Sequence, residues 1–395
     1  MLVEMTQAAP VVYGAGSIRE VGRRIMDMGS NVVLCICDGV IKSIGTAEKI
    51  ENILKEAGLR VVTFDGVKPE APDVLVDECA KLAREAKVDG IVAIGGGSTI
   101  DTAKGVRLLL EKGGSIRDYL VERNKIKSSF RTGRSKGNVP LIAIPTTSGT
   151  GSEVTSVGVV MDTERNVKDV FYGCAASLAM LDPELTLSLP PYPTAATGMD
   201  AFAHAAESMT STRSNPKTQV LGLYAINRLV KWLPEAVVNG SNLEARAELL
   251  LASNFAGMAM CDGVAHLGHD IAHAVGQEFH IDHGTACAIG LPESIAYVAE
   301  AAPETVKQIG LAMGLRFAED VTPEDLGQVV ADAIRNFMRK IGIKSLKDFG
   351  CDKDDVVRRI SPIVFGNKEL TSLCLRLPSD VDIEKIVADS YCKYE

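Results

Sequence analysis

The sequence lacks four features that would each indicate a particular class of protein. It contains no apolar run of about 20 residues, so no transmembrane helix is expected. The N-terminus has no charged segment followed by a long apolar run, so no secretory signal peptide is expected either. There is no basic excess, and the net charge of −9 argues against a nucleic acid or an anionic membrane as partner. The nine cysteines include no CxxC pair, which predicts reduced thiols and a cytoplasmic protein.

Histidines are few, and they are confined to one stretch. All six lie between His204 and His283. Asp200 precedes His204 by four residues, and His269 precedes His273 by four, so on helices each pair would share one face. The two faces and His283 could converge on one cation. Imidazoles with a carboxylate suit Fe²⁺ or Zn²⁺ and fit Mg²⁺ or Ca²⁺ poorly. The alternative is that these are ordinary core or capping residues, and the clustering favours the metal site.

Residues 1 to about 187 alternate between strand and helix patterns. Apolar runs predict strands at 31–37, 60–64, 89–94 and 139–145, and amphipathic or capped segments predict helices at 46–57 and 72–86. Such alternation predicts a parallel sheet covered by helices on both faces. The polar, basic residues 115–138 are interpreted as a surface excursion.

Two polar loops follow strands in this half. The first, Gly95-Gly-Gly-Ser-Thr-Ile-Asp-Thr-Ala-Lys104, leads into a helix whose N-terminal amides would face a bound group. It is neither a GxGxxG nor a Walker A motif, but its place after a buried strand favours phosphate binding over a plain turn. The second, residues 146–155, combines many hydroxyls with two glycines, which suits a nucleotide. The alternative is a Ser/Thr-rich turn.

From Thr194 nearly every segment has helical periodicity. Helices are predicted at 195–209, 217–233, 244–260, 264–278, 303–313, 323–341 and 383–391. The expected organisation is therefore an N-terminal α/β domain, residues 1–187, followed by an all-helical domain, residues 188–395. The glycine loops lie in the first half and the histidines in the second. A nucleotide and a metal are thus expected to face each other across a cleft between the domains.

These motifs resemble the iron-containing, group III alcohol dehydrogenase family. The resemblance spans nearly the whole chain and rests on the sequences of 95–104, 144–155 and 195–204 and on the series His269, His273 and His283. It implies the fold of that family, with a Rossmann-like, dinucleotide-binding α/β domain, which glycerol dehydrogenases and dehydroquinate synthases share. Fold alone would therefore not decide the reaction.

The resemblance also implies roles for single residues. The implied metal ligands are Asp200, His204, His269 and His283, and His273 matches a position near the substrate. The implied cofactor-binding residues are Asp38, Gly95, Gly96, Gly97, Ser98, Asp101, Thr146, Thr147, Thr150 and, as a looser match, Lys168. A carboxylate at Asp38 would face the adenosine ribose and favour NAD over NADP. The alternative for Asp38 is a turn residue before Gly39.

The sequence departs from the family pattern in three places. Asp282 stands where the family often has proline before the last ligand histidine, and it would be either an acceptor for an imidazole or a helix cap. His266 and His280 are additional histidines that would lie at the surface or line the substrate pocket. Residues 374–379 replace an Asn-Pro-Arg segment of many relatives. The uncharged Ser156, Met260 and Cys374 are pocket candidates, which favours a small neutral substrate.

The function implied is reversible, NAD(H)-dependent and divalent-metal-dependent interconversion of a small primary alcohol and its aldehyde. His273 would relay the alcohol proton, and a homodimer or larger homo-oligomer is expected. Fe²⁺ is the implied metal, with Zn²⁺ left open. A glycerol dehydrogenase-like or dehydroquinate synthase-like enzyme is the alternative from the same fold. The synthase reaction needs a basic phosphate pocket, and no Lys or Arg lies between His266 and His283. A non-catalytic metal- or nucleotide-binding regulator is the alternative from another class.

Overall fold

A computed structural model describes residues 5–6, 9–126 and 138–394. Two predictions fall partly outside these ranges. One is the absence of a signal peptide at the N-terminus, and the other is the surface excursion at 115–138, of which about half is described. The described part of that stretch contains one turn of 3₁₀ helix, Ile116–Tyr119. Within the described ranges, no helix has the length and apolar character needed to cross a membrane.

The chain divides into two compact units. One unit comprises Thr6–Thr147 and Gly151–Ser188 and contains every strand of the described residues. The other contains Ser148–Thr150 and the residues from Leu189 onward, and it is helical. The α/β organisation followed by a helical region was predicted from the sequence and is confirmed.

The α/β unit is built on a six-stranded parallel sheet. Its strands are β1 (Val11–Tyr13), β2 (Val32–Asp38), β3 (Arg60–Val67), β4 (Gly90–Gly95), β5 (Leu141–Pro145) and β8 (Leu178–Leu181), in the order β1-β8-β5-β4-β2-β3. β6 (Val157–Asp162) and β7 (Val167–Tyr172) form a separate antiparallel hairpin that the sequence patterns did not predict. The helices of this unit are α1 (Val21–Asp27), α2 (Gly39–Ser43), α3 (Thr46–Glu56), α4 (Asp73–Glu85) and α5 (Gly97–Lys112).

The central strands are buried on both faces because the helices pack against both sides of the sheet. Every residue of β4 and β5 is buried. Alternate side chains of these strands belong to two separate apolar clusters, one containing Ile91 and Leu141 and the other Val92 and Ile142. This is the expected pattern for a parallel sheet in an α/β fold. Because β2, β4 and β5 are parallel, their carboxyl ends lie at one edge of the sheet. The two polar loops begin at this edge.

The helical unit contains ten α-helices within the described residues. They are α6 (Pro191–Met209), α7 (Pro216–Val238), α8 (Leu243–Gly263), α9 (Leu267–Phe279), α10 (His283–Val298), α11 (Pro303–Ala312), α12 (Pro323–Lys340), α13 (Lys353–Gly366), α14 (Lys368–Thr371) and α15 (Asp380–Cys392). One large apolar cluster lies among them, with Phe202, Leu229, Ile271 and Leu291 among its fully buried members.

Glycines allow α10 to approach two neighbouring helices closely. A Cβ atom placed on Gly284 would lie 2.3 Å from the carbonyl oxygen of Ala196 on α6. A Cβ on Gly290 would lie 2.6 Å from the carbonyl oxygen of Gly268 on α9. Both distances are shorter than any real contact of a Cβ atom, so only glycine permits this spacing. α6, α9 and α10 carry the histidines and Asp200, so this packing sets the dimensions of the site.

Candidate metal centre and cofactor loops

Three imidazoles surround one carboxylate oxygen in the helical unit. The Nε2 atoms of His204, His269 and His283 each lie 3.6 Å from Oδ1 of Asp200. Asp200 and His204 occupy successive turns of α6, His269 lies in the first turn of α9, and His283 is the first residue of α10. The structure therefore brings together all four residues expected to bind a metal.

The separations between Oδ1 of Asp200 and the three imidazole nitrogens are those of neighbouring ligands in a metal site. Ligands about 2.1 Å from a tetrahedral cation are about 3.4 Å from one another, close to the 3.6 Å found here. Oδ1 of Asp200 and Nε2 of His269 are buried and have no hydrogen-bond partner among the residues that the structure describes. A buried polar atom without a partner is costly, and a cation would satisfy both atoms.

The ionisation of the side chains in the site suits a bound cation. Burial by itself would raise the pKa of Asp200, but the adjacent imidazoles hold that pKa well below its ordinary value. Burial likewise opposes ionisation of Glu207, yet His266, His269 and the Gly268 amide lower its pKa to about 2. Burial lowers the pKa of His204 and of His266, which favours neutral rings. Burial opposes ionisation of His269 as well, but the neighbouring Cys287, Glu207 and Asp200 raise its pKa well above the ordinary value. The positive charge that balances the two buried carboxylates thus lies on the His269 ring, and a bound divalent cation would replace it.

Glu207, which sequence analysis missed, holds His269 in place. Its carboxylate accepts hydrogen bonds from the amides of Gly268, at 2.7 Å, and of His269, at 3.2 Å. It also makes a short hydrogen bond with Nδ1 of the His269 ring. An imidazole that donates from Nδ1 presents a lone pair at Nε2, the atom directed at Asp200. Glu207 follows Asp200 by seven residues and so lies on the same face of α6, a spacing that could have identified it.

The remaining histidines have separate roles. His266 is fully buried; its Nε2 and the Thr210 hydroxyl are 2.9 Å apart, and its Nδ1 lies 3.3 Å from Glu207. His280 is exposed and ends α9 in the left-handed conformation, with φ 54°. His273 is half-buried, and its ring centroid lies 5.5 Å from that of His283. His266 and His280 thus stand at the two ends of α9. His273 lies within the helix, next to the proposed metal ligand His283.

Asp282 acts as a helix cap. Its side chain accepts a hydrogen bond of 3.0 Å from the amide of Thr285 at the start of α10. The residue is exposed, and of the two interpretations of Asp282 this contact is the one that the structure shows. By fixing the first turn of α10, the cap also fixes the position of His283.

The loop after β4 leads directly into the N-terminus of α5. Gly96 precedes α5, and Gly97 is its first residue. A Cβ on Gly95 would lie 2.4 Å from the Thr99 hydroxyl, so the loop requires glycine there. The Ser98 hydroxyl accepts a hydrogen bond of 3.0 Å from the Glu70 amide. Gly-rich loops that lead into a helix N-terminus expose amides to anions.

The hydroxyl loop begins beside the glycine loop. The Thr146 amide donates to the Gly95 carbonyl at 3.1 Å, and the Thr147 hydroxyl lies near Gly96. Ser148–Thr150 packs with the helical unit, and the contact of Thr150 with a cofactor stays a prediction. Gly149 lies close to α6, because a Cβ placed on it would be 2.9 Å from the Thr197 carbonyl oxygen.

Other predicted cofactor and substrate residues make contacts within the protein. The Asp38 carboxylate caps α2 by accepting from the Ile41 amide at 2.8 Å. Asp101 accepts from the Ser152 hydroxyl at 2.6 Å and from the Val159 amide. Lys168, on β7, pairs with Glu70 at 3.1 Å.

The three pocket candidates are not all in one unit. Ser156 is in the α/β unit, whereas Met260, on α8, and Cys374 are in the helical unit. The Cys374 side chain is buried, and its backbone bridges Ser211.

One known protein family matches both halves of the chain. The profile of the iron-containing alcohol dehydrogenases matches residues 8–183, and the C-terminal profile of the same family matches residues 194–391. The chain belongs to the iron-containing alcohol dehydrogenase family. The resemblance inferred from the sequence motifs is thereby confirmed.

Individual members of the family are similar over most of their length. An NAD-dependent methanol dehydrogenase of Bacillus methanolicus is 33% identical over 348 residues, which are 87% of this chain and 89% of that protein. Among solved structures, a 1,3-propanediol oxidoreductase has a TM-score of 0.90 and 30% identity, covering 99% of this chain and 100% of that one. A sulfoacetaldehyde reductase of Bifidobacterium kashiwanohense in complex with NAD⁺ has a TM-score of 0.85 and 27% identity, covering 99% of each chain.

Proposed function

We propose that this protein is an oxidoreductase that reversibly interconverts a small primary alcohol and its aldehyde, using NAD(H) and a bound divalent metal, Fe²⁺ or Zn²⁺. The observation that carries the proposal is the arrangement of three imidazole Nε2 atoms 3.6 Å from the buried Asp200 carboxylate. The family and the NAD-dependent methanol dehydrogenase support the choice of reaction and cofactor.

Each part of the site has a proposed task. Asp200, His204, His269 and His283 hold the cation, and Glu207 orients the His269 ring. When bound, the cation supplies Lewis acidity at the substrate oxygen, and NAD(H) supplies or accepts the hydride. The side chain of His283 is 31% exposed, whereas those of Asp200, His204 and His269 are nearly inaccessible. A substrate would therefore approach the cation beside His283.

His273 is proposed to move the alcohol proton. Its half-buried ring lies next to that of His283, with centroids 5.5 Å apart. Imidazole has the pKa class that suits a proton relay near neutral pH. A wild-type rate and pH profile in His273→Ala would contradict this role.

The cofactor is proposed to lie along the loops at the carboxyl edge of the sheet. The amides from Gly95 to Ser98 at the start of α5 would hold the pyrophosphate. Asp38 would accept hydrogen bonds from the adenosine ribose and disfavour a 2′-phosphate. Asp101, Thr146, Thr147, Thr150 and Lys168 remain proposed cofactor residues, and Ser156, Met260 and Cys374 remain proposed pocket residues.

The wider assignments are also proposals. Residues 1–187 would form the NAD-binding domain and residues 188–395 the metal-binding catalytic domain. The odd number of cysteines without a CxxC pair supports a cytoplasmic location. A homodimer or larger homo-oligomer is proposed from the family resemblance, and sedimentation equilibrium would test it.

The experiment is anaerobic NADH oxidation with a panel of short aldehydes, comparing Fe²⁺-loaded, Zn²⁺-loaded and metal-stripped protein. We expect metal-dependent NADH consumption, with NADPH used less well. His204→Ala should abolish turnover, whereas His280→Asn, at the exposed end of α9, should leave it unchanged. No NADH consumption with any aldehyde would contradict the proposal and favour a lyase of the dehydroquinate synthase kind or a binding protein.

A further inference from the structure

A cysteine lies among the metal-binding side chains. Cys287 follows His283 by one turn of α10 and is fully buried. Its Sγ lies 3.6 Å from Nε2 of His283. Together with one donor atom each from Asp200, His269 and His283, this sulfur forms a group whose members all lie within 4.8 Å of one another. The site described above gives Cys287 no role.

The sulfur has the spacing of a metal ligand. In a five-coordinate site, a thiolate about 2.3 Å and a neighbouring imidazole nitrogen about 2.1 Å from the cation lie about 3.1–3.8 Å apart. Sγ of Cys287 lies 3.6 Å from Nε2 and 3.9 Å from Nδ1 of the His283 ring, so its distance to Nε2 is within this range. Two other members of the group, Oδ1 of Asp200 and Nε2 of His269, are buried without a hydrogen-bond partner among the described residues. The Cys287 thiol therefore lies close to two buried atoms, Asp200 Oδ1 and His269 Nε2, that a cation would satisfy.

We propose that Sγ of Cys287 is a fifth protein ligand of the divalent cation held by Asp200, His204, His269 and His283. The inference rests on the metal site of the proposed function. On coordination, the bond from sulfur to hydrogen is replaced by a bond from sulfur to the metal, and the proton leaves to water. No atom changes oxidation state, so no oxidant or reductant is required.

A thiolate changes the preference of the site for one metal over another. Soft sulfur ligands favour zinc over harder ions, compared with nitrogen and oxygen ligands alone. The donor set of three imidazoles, one carboxylate and one thiolate should therefore bind Zn²⁺ more tightly relative to Fe²⁺ than the same set without sulfur. Cys287→Ala should weaken Zn²⁺ binding by about tenfold or more.

Cobalt(II) provides a direct test because thiolate ligation gives it a near-ultraviolet charge-transfer band. Metal-stripped wild-type protein titrated with Co²⁺ should develop this band together with visible d–d bands. Cys287→Ala and Cys287→Ser should lose the charge-transfer band and retain d–d bands. Cys79→Ala, which removes a buried cysteine of the α/β unit, is the matched control and should behave as wild type. An unchanged charge-transfer band in both Cys287 variants would overturn the proposal.

X-ray absorption of the wild-type protein tests the same point without any variant. The Zn²⁺-loaded enzyme should show a sulfur shell at about 2.3 Å in addition to nitrogen and oxygen at about 2.0–2.1 Å. A spectrum with nitrogen and oxygen ligands alone would overturn the role of Cys287, and metal-dependent NADH turnover would then still support the proposed function. Failure of the wild-type protein to bind any of these metals would contradict both proposals. Sulfur ligation without NADH turnover would contradict only the function.

Discussion

Glu207 shows how one buried carboxylate organises a site without being expected to contact the cation. It accepts hydrogen bonds from three backbone amides at the start of α9, those of His266, Gly268 and His269, and it also pairs with Nδ1 of the His269 ring. Because Gln keeps an acceptor but loses the negative charge, Glu207→Gln should weaken the orientation and basicity of His269. We expect metal affinity to fall by about 10–100-fold, measured by competition with a chelator of known affinity.

The control for this change is Glu244→Gln, at an exposed position in the first turn of α8. It carries the same loss of charge and should leave metal affinity at the wild-type value. If Glu207→Gln also bound metal as tightly as wild type, its contact with His269 would have no part in holding the ligand.

Asp73, in the α/β unit, makes stability depend on acid pH. Its carboxylate is buried at the start of α4, pairs with Arg117, and accepts from the Thr163 hydroxyl at 2.7 Å. Burial opposes ionisation, but these hydrogen bonds leave the pKa of Asp73 below its ordinary value. Asp73→Asn should therefore lower the free energy of unfolding by about 1–3 kcal/mol at neutral pH.

The sign of the pH dependence follows from the lowered pKa. The stabilisation by Asp73 is complete above the pKa of the unfolded chain, about 3.9, and is lost as the pH falls through the lower folded value. Urea unfolding of the wild type and Asp73→Asn should thus differ most at neutral pH and converge below pH 3.9. The exposed pair of Arg23 and Asp27, 3.6 Å apart, offers Asp27→Asn as a control, with an expected effect of at most about 1 kcal/mol. A difference that stays constant into acid would disprove the assignment.

Among the elements, α10 carries the proposed metal ligand His283, and its packing against α6 sets the position of that residue. Gly284 contacts the backbone of α6, and a methyl group there would overlap the Ala196 carbonyl, 2.3 Å away. Gly284→Ala must therefore displace α10, and His283 with it, from Asp200. We expect a loss of about 1–3 kcal/mol in the free energy of unfolding and weaker metal binding, measured by thermal unfolding and chelator competition.

Gly366→Ala, at the end of α13, is the matched control for Gly284→Ala. No atom lies within 4 Å of a Cβ placed there, among the residues that the structure describes. This variant should keep wild-type metal affinity and wild-type or slightly higher stability, because alanine restricts the unfolded chain. Equal effects of the two substitutions would show that close packing at Gly284 does not position His283.

α10 also shows where sequence patterns fail. Strands β2 and β4 were predicted because continuous apolar runs end at Asp38 and at Gly95. α10 was not predicted, since Gly284, Gly290 and Pro292 all argue against a helix, and its stability comes from packing against α6 and α9. The β6–β7 hairpin was missed although its strands are as long as β4, because only alternate residues of β6 and two residues of β7 are buried.

In the site, too, some residues can be found from local sequence patterns, whereas others depend on how the helices pack. Asp200, His204, His269 and His283 could be found from their clustering, spacing and resemblance to a family. Extending the four-residue spacing would also have pointed to Cys287. The seven-residue spacing from Asp200 could have placed Glu207 on the same face of α6, but its contact with His269 joins residues 62 positions apart, and no local pattern reveals which residue it contacts. The contact depends on how α6 and α9 pack.

At the scale of the whole molecule, the residues proposed to bind the metal and those proposed to hold the pyrophosphate of NAD(H) belong to different units. Every metal donor lies on α6, α9 or α10 of the helical unit. The glycine loop lies between β4 and α5 in the α/β unit. A ligand stabilises the elements to which it binds, by about 2.7 kcal/mol at a concentration 100 times its dissociation constant. Metal and cofactor should therefore protect different parts of the chain from opening.

Hydrogen exchange followed by mass spectrometry measures this separation. Removing the metal should speed amide exchange in α6, α9 and α10, by up to about 100-fold where the ligand was near saturation, and should leave β4 and α5 unchanged. Adding NADH to the metal-stripped protein should slow exchange in the loop from Gly95 to Ser98 and in β5, while α9 keeps its metal-free rate. Faster exchange spread equally over both units on metal loss would mean that the cation stabilises the whole chain cooperatively, contrary to a site confined to three helices.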